Sequence, residues 1–158
     1  MPILNVEKTI RSLRKTPVML DALLKDVTHE QARQATDGPD GWSVLFIVCH
    51  LRDFEDIFCQ RIRMALEQDC PLLPGVNQEA LPAANYYAHQ DFCLTLEAYL
   101  NRRHTLIGLL ERLSAEEWAR HAVHQEYGEG TVLDLAINVV LHDVNHIEQI
   151  VRALETKA

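Results

Sequence analysis

Glycine and proline are scarce in this sequence, with six of each among 158 residues. Both residue types interrupt regular structure, so their scarcity favours a few long elements over many short strands. Hydrophobic residues make up 47% of the chain and charged residues 24%, a balance that excludes wholesale disorder. A chain of this length can bury its own core, and we expect a single domain over residues 1–158.

The sequence also lacks basic clusters and long apolar runs. There are 23 acidic against 15 basic residues, a net charge of −8, and the basic residues occur at most in short pairs such as Arg102 and Arg103. Nucleic-acid-binding proteins concentrate Lys and Arg on one face, so we expect no nucleic-acid partner. No apolar run approaches the length of a membrane span, and the N-terminus has an amphipathic rather than a signal-peptide pattern. We therefore predict a cytoplasmic protein with no membrane partner.

The four cysteines form no Cys-x-x-Cys pair. In a reducing compartment they are predicted to be free thiols. Cys49 directly precedes His50, but neighbouring residues of a helix point roughly 100° apart. Cys49 is therefore not expected to bind a metal together with that histidine.

Four long segments have the apolar periodicity of amphipathic helices. Ser43 and Thr131 are suitable N-caps for the second and fourth segments, and capping-box patterns at Thr28 and Ser114 predict two further short helices. The long segments cover about Val6–Asp26, Ser43–Glu67, Ala84–Arg112 and Thr131–Glu155. The predicted fold class is all-α, a four-helix bundle with no sheet of consequence.

The connection between the second and third helices, about Gln68–Ala83, has no helical pattern and contains three prolines and a glycine. Roughly 15 extended residues can span roughly 50 Å. A 25-residue helix is only roughly 37 Å long. This connection can therefore run the length of the bundle as a long crossover that joins two parallel helices, although the spacing alone does not require it.

Three of the eight histidines lie on apolar helix faces. His142 and His146 are four residues apart, which places both on one face of the last helix, and His50 lies on the apolar stripe of the second. Three neutral imidazoles that converge suit Zn²⁺, Ni²⁺ or Fe²⁺ and leave coordination positions open, as in catalytic sites. Core histidines satisfied by hydrogen bonds remain the alternative. The other five are predicted to be exposed to solvent: His29, His89, His104, His121 and His124.

Several common catalytic motifs are missing. Di-iron carboxylate bundles need Glu-x-x-His twice, and the sequence contains none. His-Glu-x-x-His, a Gly-rich phosphate loop and Gly-x-Ser-x-Gly are also absent. The residues therefore identify a candidate metal site but no catalytic or cofactor-binding side chain beyond it.

Two segments carry a family resemblance: GWSVLFIVCHLRDFE and, some 80 residues later, VVLHDVNHIEQI. The Trp-Ser entry to a helix, the internal His-Leu pair and the late His-x-x-x-His before Gln-Ile resemble the DinB/YfiT-like superfamily. The resemblance covers the whole chain in helix order and spacing. It implies a four-helix bundle with a long crossover between helices two and three, and a metal triad at His50, His142 and His146. Glu148 stands where many members have glycine, next to this triad.

The resemblance also implies a range of functions. Characterised relatives include metal-dependent thiol transferases, isomerases and hydrolases that act on small molecules, often as homodimers. It implies one divalent metal ion, either zinc, nickel or iron, that activates a water molecule or a low-molecular-weight thiol. The alternative is a non-catalytic dimer that binds a metal or small molecule in a stress-response or sensor role, and whether the protein is an enzyme stays open.

Metal-bound histidines usually need a hydrogen-bond partner that orients the ring. Asp53, three residues after His50, and Asn138, one turn before His142, are candidates for this role. The alternative for both is an ordinary polar helix residue, and for Asp53 this alternative is favoured. Gln149 is a candidate to reach a metal-bound water, with the filling of a gap in the core as the alternative. An enzyme would leave an open coordination position that faces a cleft, whereas a structural site would be closed by a fourth protein ligand.

Overall fold

The computed structural model describes residues 3–155, so residues 1–2 and 156–158 of the predicted domain lie outside the described part. The described chain is mostly helical, as predicted. Its helices are α1 (Val6–Leu24), α2 (His29–Gln34), α3 (Val44–Glu67), α4 (Leu81–Ala84), α5 (Phe92–Leu110), α6 (Ala115–Trp118) and α7 (Val132–Glu155). Three short strands are β1 (Leu72–Leu73), β2 (His121–His124) and β3 (Gly128–Thr131), and a 3-10 turn covers Tyr87–His89.

The predicted caps fix the helix starts. Ser43 accepts a hydrogen bond from the backbone N–H of Phe46 at the start of α3. Thr28 and Ser114 form complete capping boxes at α2 and α6. At α7, Thr131 and Asp134 bond to each other's backbone N–H groups. Each cap satisfies N–H groups that would otherwise lack a partner, which confirms these boundaries.

The predicted start of the third long helix is wrong by eight residues. Helix α5 begins at Phe92 rather than near Ala84, and Asp91 caps it by accepting from the N–H of Leu94. The preceding segment is interrupted because Tyr86 has a φ of 52°, in the left-handed region. A non-glycine residue in that region ends regular helix.

The predicted long crossover between the second and third long helices, now α3 and α5, is confirmed. Cys49 of α3 lies beside Thr95 of α5, and further along both helices Glu55 bonds Arg103. Contacts that advance in the same direction on both helices mean that α3 and α5 are parallel. Helix α7 runs antiparallel to α3, since the His50 ring packs on His146 while Phe58, two turns later, packs on His142.

A small sheet covers one end of the cavity described below. Strand β1, from the crossover, pairs parallel with β2, and β2 pairs antiparallel with β3. The β2–β3 turn needs Gly128, whose φ of 82° lies in the region that favours glycine. The sheet is a minor addition to the helical bundle that the sequence did not predict.

The core of the bundle is divided by a polar layer to which all four long helices contribute. On one side lie apolar residues such as Leu13, Phe58 and Val139, and on the other side residues such as Leu20 and Ile150. Between them are buried polar side chains from the four helices: Thr16, His50, Glu55, Arg103 and Asp143. The candidate metal site lies in this layer.

Candidate metal centre

The structure brings His50, His142 and His146 together. One ring nitrogen from each histidine lies within 4.8 Å of those of the other two. The Nε2 atoms of His50 and His142 are 3.0 Å apart. The His146 ring centroid is 4.6 Å from that of His50 and 4.5 Å from that of His142. The i, i+4 spacing on α7 and the antiparallel packing of α3 produce this cluster.

Aromatic rings shield the cluster from water. Phe54 stacks on His142 with a centroid distance of 4.8 Å and an interplanar angle of 23°. Phe58 meets the same imidazole edge-on at 5.2 Å, and Trp42 lies 5.1 Å from the His50 ring. His50 is fully buried, whereas His142 and His146 keep part of their surface exposed. One side of the cluster is therefore open.

Burial keeps the imidazoles in their neutral form. Desolvation, reinforced by His146, lowers the pKa of His50 to about 3. The pKa of His142 is lowered to about 2, again mainly by burial and then by the neighbouring histidines and by Arg103 and Arg61. Burial also lowers the pKa of His146. A neutral imidazole is the form that binds a metal.

Gln149 orients one of the three rings. Its Oε1 lies 2.8 Å from Nδ1 of His146, one turn earlier on α7. With an amide oxygen as acceptor, Nδ1 carries the proton and Nε2 presents a lone pair. The sequence singled out Gln149 as a residue that could reach a metal-bound water, but the structure instead pairs it with a candidate ligand.

The candidate partner Asp53 does not orient His50, and the ordinary role of a polar helix residue, favoured for it from the sequence, is the one observed. Asp53 accepts hydrogen bonds from Arg52, Asn85 and Tyr87, at 2.7 to 2.8 Å, and none joins it to His50 in the described structure. Nδ1 of His50 is buried and has no hydrogen-bond partner within residues 3–155. Asn138 is exposed on the cavity wall, and no hydrogen bond joins it to His142 in the described structure.

The donor set fits a divalent ion. Two imidazole nitrogens bound tetrahedrally to one zinc ion, with bonds of about 2.1 Å, lie about 3.4 Å apart, close to the spacing of His50 and His142. Within residues 3–155, no cysteine, aspartate or glutamate joins the three histidines as a fourth donor. Three neutral nitrogen donors with one side open match the ligand pattern of catalytic rather than structural zinc sites.

A cavity of about 210 Å³ adjoins the cluster, and His142 forms part of its wall. Its lining also includes Phe54, Phe58, Arg61 and His124. The sequence predicted His124 to be exposed, which is wrong, since strand β2 buries this side chain to 6% exposure. The prediction is correct for the other four histidines outside the cluster, His29, His89, His104 and His121.

A buried ion cluster, which the sequence did not predict, lies next to the site. The Arg103 guanidinium donates to both oxygens of Glu55, at 2.9 and 2.5 Å, and to both oxygens of Asp143, at 2.7 and 2.9 Å. Thr16 donates a short hydrogen bond to Asp143. Asp143 directly follows His142, so this cluster fixes the helix backbone that carries the candidate ligand. Arg103 looks like half of a surface pair in the sequence, and only its three-dimensional partners identify its role.

A family model described as the DinB superfamily matches residues 12–150. The chain belongs to the DinB superfamily. A protein of Oceanobacillus iheyensis named "Putative metal-dependent hydrolase" is 27% identical to it over 119 residues, which cover 74% of this chain and 67% of that protein. The resemblance seen in the two histidine segments is thereby confirmed.

Solved structures show the same DinB-like fold. YfiT of Bacillus subtilis, described as a probable metal-dependent hydrolase with an unusual four-helix bundle topology, superposes with a TM-score of 0.88 at 20% identity, covering 99% of this chain and 90% of YfiT. A mycothiol-dependent maleylpyruvate isomerase superposes with a TM-score of 0.79 at 10% identity, and 93% of this chain matches 61% of that enzyme. At these identities the likeness is one of fold.

Proposed function

We propose that this protein is a metal-dependent enzyme of the hydrolase type, in which His50, His142 and His146 hold one divalent ion. The observation that carries this proposal is the three-histidine cluster, in which His142 forms part of a cavity wall. A purely structural metal site would be expected to have a fourth protein ligand and no adjoining cavity. The name of the Oceanobacillus relative and the description of YfiT support the hydrolase class.

A divalent ion held by neutral imidazoles acts as a Lewis acid that makes water or a thiol more reactive near neutral pH. The protein's own residues provide the surroundings. Gln149 holds the His146 ring so that Nε2 faces the cluster, and Arg103 fixes α7 through Asp143. Phe54 and Phe58 exclude bulk water beside His142. A small molecule enters through the cavity.

Several finer features belong to the same proposal. Zinc, nickel and iron all suit an imidazole donor set. A low-molecular-weight thiol in place of water would make the protein a thiol transferase. The homodimer, the cytoplasmic location and the lack of a nucleic-acid partner stay predictions from the sequence. No helix within residues 3–155 combines the length and apolar character that crossing a bilayer requires.

The test compares metal-loaded and metal-free protein, purified without a histidine tag. Each form is assayed against chromogenic esters, amides and phosphoesters, and separately for conjugation of a small thiol to a chlorodinitrobenzene. We expect metal-dependent hydrolysis of at least one substrate class by the wild type and none by the His142→Ala variant. The exposed His104→Ala variant is the matched control and should keep full activity.

Each outcome separates two functions. Metal-dependent conjugation without hydrolysis would replace the hydrolase with a thiol transferase. Equal hydrolysis rates with and without metal, or equal rates in the wild type and in His142→Ala, would contradict a metal-dependent enzyme. Stoichiometric metal binding without turnover of any substrate would favour the non-catalytic binding protein, whose metal would raise only thermal stability.

A further inference from the structure

A buried arginine faces the cavity without a counter-ion. Arg61, three turns after His50 on α3, is only 7% exposed. Its guanidinium donates from Nη2 to the backbone carbonyl of Pro74 at 3.1 Å, its one hydrogen bond within residues 3–155. In the same residues, no carboxylate oxygen lies within 4.0 Å of it. An arginine this deeply buried is normally paired, because removing the charge from water is costly.

A second unsatisfied donor lies beside it. His124 of β2 is 6% exposed, and its Nδ1 accepts the backbone N–H of Glu126 at 3.1 Å. In a neutral imidazole the other nitrogen, Nε2, must then carry the proton. That Nε2 is buried and has no partner in the described structure. Stacking on Tyr127, with centroids 4.5 Å apart, fixes the ring.

The two donors belong to one binding space. The cavity of about 210 Å³ and a neighbouring one of about 240 Å³ share six lining residues. These are Phe58, Arg61, His124, Tyr127, Asn138 and Leu141. Burial lowers the pKa of His124 and of His142, and the positive charge of Arg61 adds to both shifts. All three side chains therefore lie within electrostatic reach of one another. Aromatic and aliphatic groups form most of the remaining shared wall.

Three carboxylates near this space would repel an anionic ligand, but none of them forms an ion pair with Arg61. Asp134 is held by the backbone N–H and hydroxyl of Thr131, and Glu129 pairs with His121. Burial lowers the pKa of Arg61, and the opposing effects of Tyr127 and then of Glu126, which lies on the cavity wall, do not cancel that shift. The charge of Arg61 therefore remains available to a ligand.

We propose that Arg61 and His124 form an anion subsite that takes the carboxylate of a small substrate with an apolar body. The planar guanidinium suits a carboxylate because it can donate two parallel hydrogen bonds. The apolar body then lies between Phe58 and Leu141 and reaches toward His142. Only this last point, that the end of the substrate opposite its carboxylate meets the metal site, rests on the proposed function.

The test uses metal-free protein, so that no ion can bind the carboxylate. Benzoate is titrated into isotope-labelled wild type in phosphate-free buffer and followed by NMR, with benzamide as the uncharged analogue of the same shape. We expect benzoate to bind at least about tenfold more tightly than benzamide, since charge-assisted hydrogen bonds are the stronger kind. Arg61→Gln should remove this preference. Arg63→Gln, exposed on the same helix, should retain it.

Further variants separate the contributions. Arg61→Lys should keep part of the preference for benzoate over benzamide, since it keeps the positive charge but not the two parallel N–H donors. His124→Phe should weaken benzoate binding less than Arg61→Gln does. Equal affinities for benzoate and benzamide, no binding of either, or a preference unchanged in Arg61→Gln would overturn the subsite. Inorganic phosphate that binds more tightly than benzoate, with the same dependence on Arg61, would overturn the assignment to a carboxylate.

Metal content distinguishes this inference from the proposed function. Arg61→Gln should still bind one equivalent of zinc, because Arg61 is not among the three candidate ligands. If the wild type bound no metal, the proposed function would fail while the benzoate result would stand. If zinc bound and the benzoate preference were absent, the subsite alone would fail.

Discussion

The Nε2 atoms of His50 and His142 lie 3.0 Å apart, although 91 residues separate these histidines in the chain. Neither ring can be protonated easily there, since burial lowers the pKa of both. Two neutral nitrogens that face each other can share one proton in a hydrogen bond or share one metal ion. A proton can be shared by only two nitrogens, so the presence of a third donor, Nε2 of His146, favours a shared metal ion.

Gln149 is predicted to support metal binding without contacting the metal. Gln149→Ala removes the acceptor of His146 Nδ1, so the ring loses its fixed orientation. We expect zinc affinity to fall about 10–100-fold, the usual effect of removing a partner of a metal ligand. Competition with a chromogenic chelator measures it.

Two variants make the Gln149 test specific. Gln149→Glu keeps an acceptor oxygen at the same position and should retain most of the affinity. Glu148→Ala, next in sequence but exposed and paired with Arg152, should have no effect on it. An unchanged affinity in Gln149→Ala would show that the 2.8 Å contact does not orient His146.

Arg103 is predicted to stabilise the fold strongly. Arg103→Met leaves the buried carboxylates of Glu55 and Asp143 without their shared partner. Removing one member of a buried ion cluster costs about 3–5 kcal/mol in the free energy of unfolding. Urea denaturation followed by circular dichroism measures this change. The control is Arg112→Met, an exposed change just beyond α5, which should alter the stability by less than about 0.5 kcal/mol. An equally small effect for Arg103→Met would contradict the stabilising role of the cluster.

The low pKa values of His50 and His142 predict that acid destabilises the metal-free protein. In the unfolded chain both titrate near the ordinary value of about 6.5. Between that pH and the folded values of about 3 and about 2, the unfolded state binds protons that the folded state excludes. Stability should therefore fall as pH drops below about 6.5 and be independent of these groups above it. The melting temperature should fall by roughly 2–4 °C for each kcal/mol lost.

The same values predict how metal is released. The ordinary histidine pKa alone predicts proton competition below about pH 6. In this fold the imidazoles resist protonation, so metal loss should coincide with loss of helix. Metal content after dialysis and circular dichroism, measured on the same samples from pH 7 to pH 4, test this. Complete release at pH 6 with an intact helical signal would contradict the buried neutral site.

Features encoded by neighbouring residues were predictable from the sequence. The caps at Ser43, Thr28 and Ser114 fix their helices through bonds that span only three residues. The His142–His146 pair follows from the helical repeat in the same way. His50 was predicted as the third ligand from its apolar helix face and from the family resemblance. The packing of α3 on α7 places its ring beside those of His142 and His146.

Features that depend on distant partners were not predictable. Strands β1 and β2 are too short for a period-two pattern, and their pairing joins residues about 50 positions apart. The burial of His124 depends on that pairing. Asp53 has the right spacing to support His50, but its carboxylate accepts hydrogen bonds from Arg52 and Tyr87 instead. Arg103 is buried because three other helices supply its partners.

The metal content of protein purified without a histidine tag, loaded with zinc and dialysed against buffer, tests the central claim most directly. We predict one equivalent of metal in the wild type and in the exposed-histidine control His104→Ala. His50→Ala, His142→Ala and His146→Ala should each retain far less than one equivalent while keeping the helical signal, because two imidazoles hold a divalent ion poorly against buffer. A full equivalent of zinc in folded His142→Ala protein would contradict the three-histidine site.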